Sequence, residues 1–267
     1  MNAKLSIFLL LLLTSCSLDA NLFNAKETSA YKLPGNTIPD SLIEAVTFSS
    51  QGNKLYGFWV RSSGAHPDVT ILYCHGNKYN IDEYWDRVMD LHQLGTNILI
   101  YDYRGYGKSE ATSSESGLYA DARAALQYTL GRTIAADSLV IYGYSLGNVA
   151  SIYLAATQTT PYTLIAEAPF ASANSLTQGS TVLDIPALWL TDGSFDNASK
   201  IKNIKCPFLL LHGEADEFVR FRDNGKVIFE NAPDPKKLVL IKDANHTDIP
   251  ETMGVNTYLE TLKAWIW

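Results

Sequence analysis

From residue 42 onward the chain alternates between two hydrophobic rhythms. Short apolar runs read as strands: 45–48 and 55–60 around Gln51-Gly52-Asn53, then 69–74, 97–101, 138–142, 163–166, 207–211 and 238–241. Most of the later runs are continuous rather than alternating, the pattern of strands covered on both faces. Longer stretches between them carry apolar residues at helical spacing, over 81–95, 117–130, 146–157, 221–231 and 250–266. In 117–130, for example, Leu118, Ala122, Ala125 and Leu126 share one face. Strands alternating with helices predict an α/β fold, a mostly parallel central sheet with helices on both faces.

One stretch breaks this rhythm. About forty residues, 168–206, separate the strand at 163–166 from that at 207–211, more than one crossover needs. Phe170, Leu183, Leu188, Trp189 and Phe195 make the stretch apolar enough to fold as a small cap insertion. The expected domain therefore runs over 42–267, with its cap at about 168–206.

The N-terminus follows neither rhythm. Lys4 precedes an apolar run over 5–13 and then Thr14-Ser15-Cys16, the layout of an export signal. The run is too short for an ordinary membrane-spanning helix. Leu13-Thr14-Ser15-Cys16 resembles a bacterial lipobox, which implies a signal peptide over 1–15, lipid on Cys16 and a polar lipid-attached tether over 16–41. A plain secretory signal with an incidental cysteine, or a buried N-terminal helix, are the alternatives. Ser17, rather than Asp, leans toward outer-membrane sorting. The expected location is the bacterial cell envelope, with the membrane as a partner through Cys16.

Composition narrows the picture further. At 46% hydrophobic and 18% charged residues, the 267-residue chain can bury a sizeable core and is not disordered. A net charge of −7 without a basic patch argues against a nucleic-acid partner. Besides Cys16, Cys74 lies in an apolar run and Cys206 beside one; both read as free buried thiols. Neither has metal-ligand spacing, and no metal or cofactor is expected.

The chemistry begins at Gly143-Tyr144-Ser145-Leu146-Gly147. A serine hydroxyl is a poor nucleophile unless a base stands beside it in a held geometry. A sharp turn between the strand at 138–142 and the helix at 146–157 supplies that exposure, and small flanking residues allow it. A base and its orienting acid are sought downstream, at other strand ends. Asp216 follows the strand at 207–211, in His212-Gly213-Glu214-Ala215-Asp216. His246 follows the last strand, in Asp243-Ala244-Asn245-His246. In the triad logic His246 takes the serine proton and Asp216 holds the imidazole. Glu214 and Asp248 are alternative acids and His212 an alternative base. His66 and His92 read as surface residues, while His75 and His212 read as loop-orienting structural residues. An oxyanion hole needs two backbone donors. Leu146 supplies one by position, and Asn77, in His75-Gly76-Asn77 after the strand at 69–74, is the candidate for the second. The glycines of Arg104-Gly105-Tyr106-Gly107-Lys108-Ser109 lack the spacing of a phosphate loop.

Taken together, Cys74-His75-Gly76-Asn77, Asp102-Tyr103-Arg104-Gly105-Tyr106-Gly107-Lys108-Ser109, Gly143-Tyr144-Ser145-Leu146-Gly147, His212-Gly213-Glu214-Ala215-Asp216 and Asn245-His246 resemble the α/β-hydrolase superfamily. The likeness points to its serine-hydrolase branch, which includes α/β-hydrolase-domain acyl hydrolases, and runs from about residue 42 to the C-terminus. It implies an α/β-hydrolase fold and cleavage of a small-molecule acyl substrate, an ester or thioester, through a Ser145 acyl-enzyme. A peptidase or amidase on the same triad and a non-catalytic surface-binding lipoprotein are the alternatives. Asn148 departs from the small residue common in such families. The cap matches no motif and leaves the acyl group open, although its aromatics favour an apolar one.

Overall fold

The computed structural model describes residues 23–132, 138–158, 161–180 and 194–267. The expected signal peptide, Cys16 and the cap residues Leu183, Leu188 and Trp189 lie outside them.

Eight strands form one sheet: β1 (Ile43–Ser50), β2 (Asn53–Val60), β3 (Thr70–Cys74), β4 (Asn97–Tyr101), β5 (Leu139–Tyr144), β6 (Thr163–Glu167), β7 (Phe208–Gly213) and β8 (Lys236–Ile241). Their spatial order is β1-β2-β4-β3-β5-β6-β7-β8. The first two form a hairpin in register Ser50↔Asn53, turned by Gln51 (φ 52°) and Gly52 (φ 86°). Positive φ at both turn residues matches the right-handed twist of the strands. β2 runs antiparallel to β4, and every pair from β4 to β8 is parallel. The expected mostly parallel sheet is thus observed, with the hairpin as its antiparallel part.

The helices are α1 (Trp85–His92), α2 (Glu115–Leu130), α3 (Gly147–Thr157), α4 (Ala173–Ser180), α5 (Asn197–Lys200), α6 (Gly225–Asn231), α7 (Ile249–Met253) and α8 (Val255–Ile266). Every position of β3, β5, β6 and β7 is buried, because successive side chains enter cores on opposite faces. Leu72, Leu99, Ile141, Leu164 and Leu210 meet Leu118 and Leu126 of α2, Val149 and Ile152 of α3 and Ile228 of α6. Ile71, Ile100, Val140, Ile165 and Leu209 meet Trp85, Val88 and Leu91 of α1 and Tyr258 and Leu262 of α8.

Three helices differ from their sequence patterns at backbone breaks. The 81–95 segment opens as a tight 3₁₀ turn over Ile81–Tyr84, capped by the Asn80 side chain accepting from Asp82 N–H, and its helix ends at His92, before Gly95. The 221–231 segment also opens with a 3₁₀ turn. The C-terminal helix is divided at Gly254, whose φ of 81° no helix accommodates.

Residues from Phe23 on, which fall in the segment expected as a tether over 16–41, lie against the domain. Phe23 is buried, and residues 25 and 27 form single bridges with Tyr79 and Gly107. The stretch lies on the domain because Phe23 finds an apolar wall and the Tyr31 hydroxyl donates to the buried Asp102 carboxylate at 2.6 Å. His92, expected at the surface, is buried instead, with Nε2 on the Arg61 carbonyl at 3.0 Å. Cys74 and Cys206 are free and buried, and burial pushes their thiols up to about 12 and about 11.

Candidate active site

The site stands at the C-terminal ends of β5, β7 and β8, where parallel strands all deliver their loops to one rim. β5 ends in Tyr144, and Ser145 follows with φ of 50°. A side chain in that left-handed region costs about 1–3 kcal/mol, and the surrounding contacts hold it there. Ser145 N–H donates to the Glu167 carbonyl at 3.0 Å, and Asn148 N–H donates to the Ser145 carbonyl at 3.0 Å. Asn148, the departure noted in the sequence, is fully buried and reinforces this turn. Its Nδ2 donates to the carbonyls of Glu167 (2.8 Å) and Ser145 (3.2 Å).

The two glycines of the turn are required by contact distance. A Cβ on Gly147 would stand 1.9 Å from the Cys74 carbonyl oxygen, and one on Gly143 2.3 Å from Ser151 Oγ. The turn is therefore pressed directly against the end of β3, which carries the His75-Gly76-Asn77 loop.

The three expected reacting side chains meet. His246 Nε2 lies 2.9 Å from Ser145 Oγ, and His246 Nδ1 lies 2.8 Å from Asp216 Oδ2. The carbonyl of His246 accepts from Tyr144 O–H at 3.1 Å, which ties the base loop to the strand that delivers the serine. Asp216 is buried, and its other oxygen accepts from Phe218 N–H (3.0 Å) and Val219 N–H (2.7 Å). One carboxylate oxygen is thus committed to its own loop and the other to the imidazole. Such a file can move a proton from a serine hydroxyl to an imidazole whose positive charge a carboxylate steadies.

The competing residues take other places. Glu214 is exposed. Asp248 Oδ1 accepts from Asn245 N–H at 2.7 Å and shapes the base loop. His212 is buried beneath the acid loop and donates from Nε2 to the Val219 carbonyl at 2.7 Å, a structural role in keeping with its sequence reading. Burial lowers its pKa below the ordinary histidine value. His75 is buried as well, its Nε2 3.2 Å from Asp102 Oδ1. Burial raises the Asp102 pKa, against the opposing hydrogen bonds from His75, Tyr31 and Ile81.

Ser145, Leu146 and Asn77 line one cavity of about 600 Å³, a volume that includes its solvent-facing part. Its other walls are Phe23, Phe170, Ala173, Leu176, Phe195, Phe218 and Val219, so no charged side chain lines it among the described residues. The described parts of the cap supply Phe170, Ala173, Leu176 and Phe195. Phe23 and Phe218 were not anticipated from sequence. Phe23 is the only aromatic residue in 17–30, which is the one signal that could have marked it. The buried Arg87–Glu167 ion pair, with Tyr142 and Tyr258 on the same carboxylate, was also unmarked. It lies directly under the turn, since the Glu167 backbone carbonyl accepts from Ser145. Among the described residues, no group of three or more His, Cys, Asp or Glu side chains is placed to hold a metal ion.

Comparisons with known proteins agree with this architecture. The family described as "Serine aminopeptidase, S33" matches residues 65–191. The protein YfhR of Escherichia coli strain K12 is 30% identical over 235 residues, 84% of this chain and 80% of that one. Human α/β-hydrolase domain-containing protein 17B is 33% identical over 225 residues, 83% of this chain and 74% of its own length. Among solved structures, the Pyrococcus furiosus esterase Pf2001 superposes with a TM-score of 0.69 at 19% identity, over 91% of this chain and 100% of that one. An α/β-hydrolase from Vibrio vulnificus gives 0.71 at 21% identity, over 85% and 82%. The two structures speak for the fold, and the two sequence relatives for the lineage. With this strand order, this serine turn and relatives aligned over most of both chains, the protein belongs to the α/β-hydrolase family.

Proposed function

We propose that the protein is a serine hydrolase that removes an apolar acyl group from an ester or thioester through a Ser145 acyl-enzyme. The observation that supports this most is the hydrogen-bonded file Ser145–His246–Asp216 opening on an apolar cavity. His246 Nε2 takes the hydroxyl proton as Ser145 Oγ attacks the acyl carbon. The backbone N–H groups of Leu146 and Asn77 receive the oxyanion. His246 returns the proton to the leaving oxygen or sulfur. Water, deprotonated by the same imidazole, then attacks the acyl-enzyme and releases the carboxylic acid and Ser145.

Peptide or amide cleavage is the second reading, prompted by the description of the matching family. An aminopeptidase must receive a free ammonium, and no carboxylate lines the cavity among the described residues to do so. That favours the ester reading. A fluorophosphonate probe should label the wild-type protein and not Ser145→Ala. Equal labelling of both defeats the Ser145 assignment, and no labelling of either favours a non-catalytic binding protein. Faster cleavage of aminoacyl amides than of matched acyl esters defeats the ester reading.

The lipid anchor at Cys16, with residence in the bacterial envelope at the outer membrane, belongs to the same proposal. It rests on the sequence alone. Among the described residues no helix is long and apolar enough to cross a membrane. Only seven positions separate Cys16 from Phe23, at most about 25 Å of extended chain, so an anchored protein holds its cavity close to the bilayer. Cys16→Ser should move the protein from the membrane to the soluble fraction and end its labelling by palmitate. Unchanged membrane attachment defeats the anchor.

A further inference from the structure

We infer that residues 23–31 are a strap that forms part of the active site, with Phe23 setting the size of the acyl group accepted. The inference rests on the acyl-hydrolase reading above and names a determinant of its specificity.

The strap is fixed by directional bonds. Tyr79 N–H donates to the Asn24 carbonyl at 2.8 Å, and Lys26 N–H donates to the Tyr79 carbonyl at 3.1 Å. Two further bonds join it to Gly107: Gly107 N–H donates to Lys26 (3.0 Å), and Thr28 N–H donates to Gly107 (2.9 Å). Asn24 N–H donates to Asn77 Oδ1 at 3.0 Å, so the strap also holds the side chain of the oxyanion-loop residue. At its far end Tyr31 O–H donates to Asp102 Oδ2 at 2.6 Å, while Asp102 Oδ1 accepts from Ile81 N–H at 3.0 Å. Gly107 is glycine for this reason. A Cβ there would stand 1.9 Å from Asp102 Oδ2 and 2.6 Å from the Tyr31 hydroxyl.

These bonds place Phe23 where it cannot be an incidental cover. Phe23 is 5% exposed, and its ring packs edge-on to Tyr106 at 6.4 Å and to Phe195 at 6.0 Å. Phe195 in turn meets Phe170 edge-on at 6.4 Å. Phe23 thus joins a strap outside the sheet to the cap, and shares the cavity with Ser145. An apolar wall discriminates by size, because each methylene that loses its place loses its dispersion contacts and burial. A larger side chain at 23 shortens the space for an acyl chain, and a smaller one extends it.

The test compares 4-nitrophenyl acetate with 4-nitrophenyl octanoate, as the ratio of kcat/KM for octanoate to that for acetate. Phe23→Trp should lower this ratio at least tenfold, and Phe23→Leu, which keeps an apolar anchor, should raise it about threefold. Ratios within twofold of wild type in both variants overturn the inference. If the wild type hydrolyses neither ester, the acyl-hydrolase reading fails, and calorimetric titration with octanoate decides the strap separately. Tenfold weaker binding to Phe23→Trp than to wild type then supports it, and equal or undetectable binding by both overturns it.

Discussion

The two ends of the cavity are built in opposite ways. At the proposed reacting end, Ser145, Asp216 and His246 each follow a strand and are held by bonds of 2.7–3.0 Å to neighbouring backbone or to one another. At the other end, Phe23, Phe170 and Phe195 come from separate segments and meet one another through ring contacts and burial, while Phe218, largely exposed, reaches the cavity from the acid loop. A proton relay demands fixed distances and angles, so each residue sits in a local turn that fixes them. A greasy wall demands size and exclusion of water, which many arrangements supply.

The comparison breaks first at its polar end. Ser145→Ala should lower kcat/KM for 4-nitrophenyl butyrate by a factor on the order of 10⁴ or more, and Asp216→Asn by one on the order of 10³ to 10⁴. Melting temperatures should stay near that of the wild type for Ser145→Ala. A Ser145→Ala protein within tenfold of wild type would break the contrast outright, since the reacting end would then owe nothing to its local geometry.

The next largest effect concerns the floor beneath the serine turn. Glu167 carries a buried carboxylate paired with Arg87, and its backbone carbonyl anchors Ser145. Arg87→Met leaves that charge without its partner in a site where water cannot reach it. The expected loss is about 3–5 kcal/mol of stability, read by urea unfolding. Arg87→Met combined with Glu167→Leu should recover much of it. If the single variant costs no more than the double, the pair is not holding the floor.

This contrast also explains what the sequence disclosed. The continuous runs at 69–74, 97–101 and 207–211 announced buried parallel strands because burial on both faces leaves no polar alternation to confuse them. Ser145, Asp216 and His246 were legible as candidates because each reactive side chain follows closely on a strand end, with glycines beside the first two. Phe23 was not legible. It stands in a polar stretch, and what buries it is the wall built by Phe195 and Tyr106, far along the chain. Arg87 went unmarked, since its partner Glu167 is 80 residues away. His92 was placed at the surface for the same reason, its partner Arg61 lying on the neighbouring segment.

A smaller effect sharpens the comparison at the strap. Tyr31→Phe keeps the ring but removes the hydroxyl that donates to Asp102. That hydrogen bond helps hold the buried carboxylate in its charged form, against the burial that raises its pKa. The expected cost is about 1–2 kcal/mol of stability. Because Asp102 also fixes Ile81, at the end of the loop that carries Asn77, kcat should fall more than KM changes. A variant with wild-type stability would show that the strap is held by Phe23 and its backbone bonds alone.

The smallest expected effect links the two ends through His212. Its ring donates to the Val219 carbonyl, while Val219 N–H holds Asp216 and the Val219 side chain lines the cavity. Burial lowers the pKa of His212 below the ordinary 6.5, although the Val219 hydrogen bond and the charge of Asp216 pull the other way. Between the lowered value and 6.5 the unfolded chain binds the proton and the folded chain does not. The unfolded state therefore holds more protons, and stability rises with pH across that window. On acidification the stability is lost progressively below pH 6.5, as protonation drives the ring toward the unfolded state. Melting temperatures taken from pH 7.5 down to 5 should fall, and His212→Gln, which keeps a donor for Val219 but cannot take up the proton, should fall less steeply by a few degrees. Parallel curves for the two proteins would place the acid sensitivity elsewhere and leave His212 as packing beneath the acid loop.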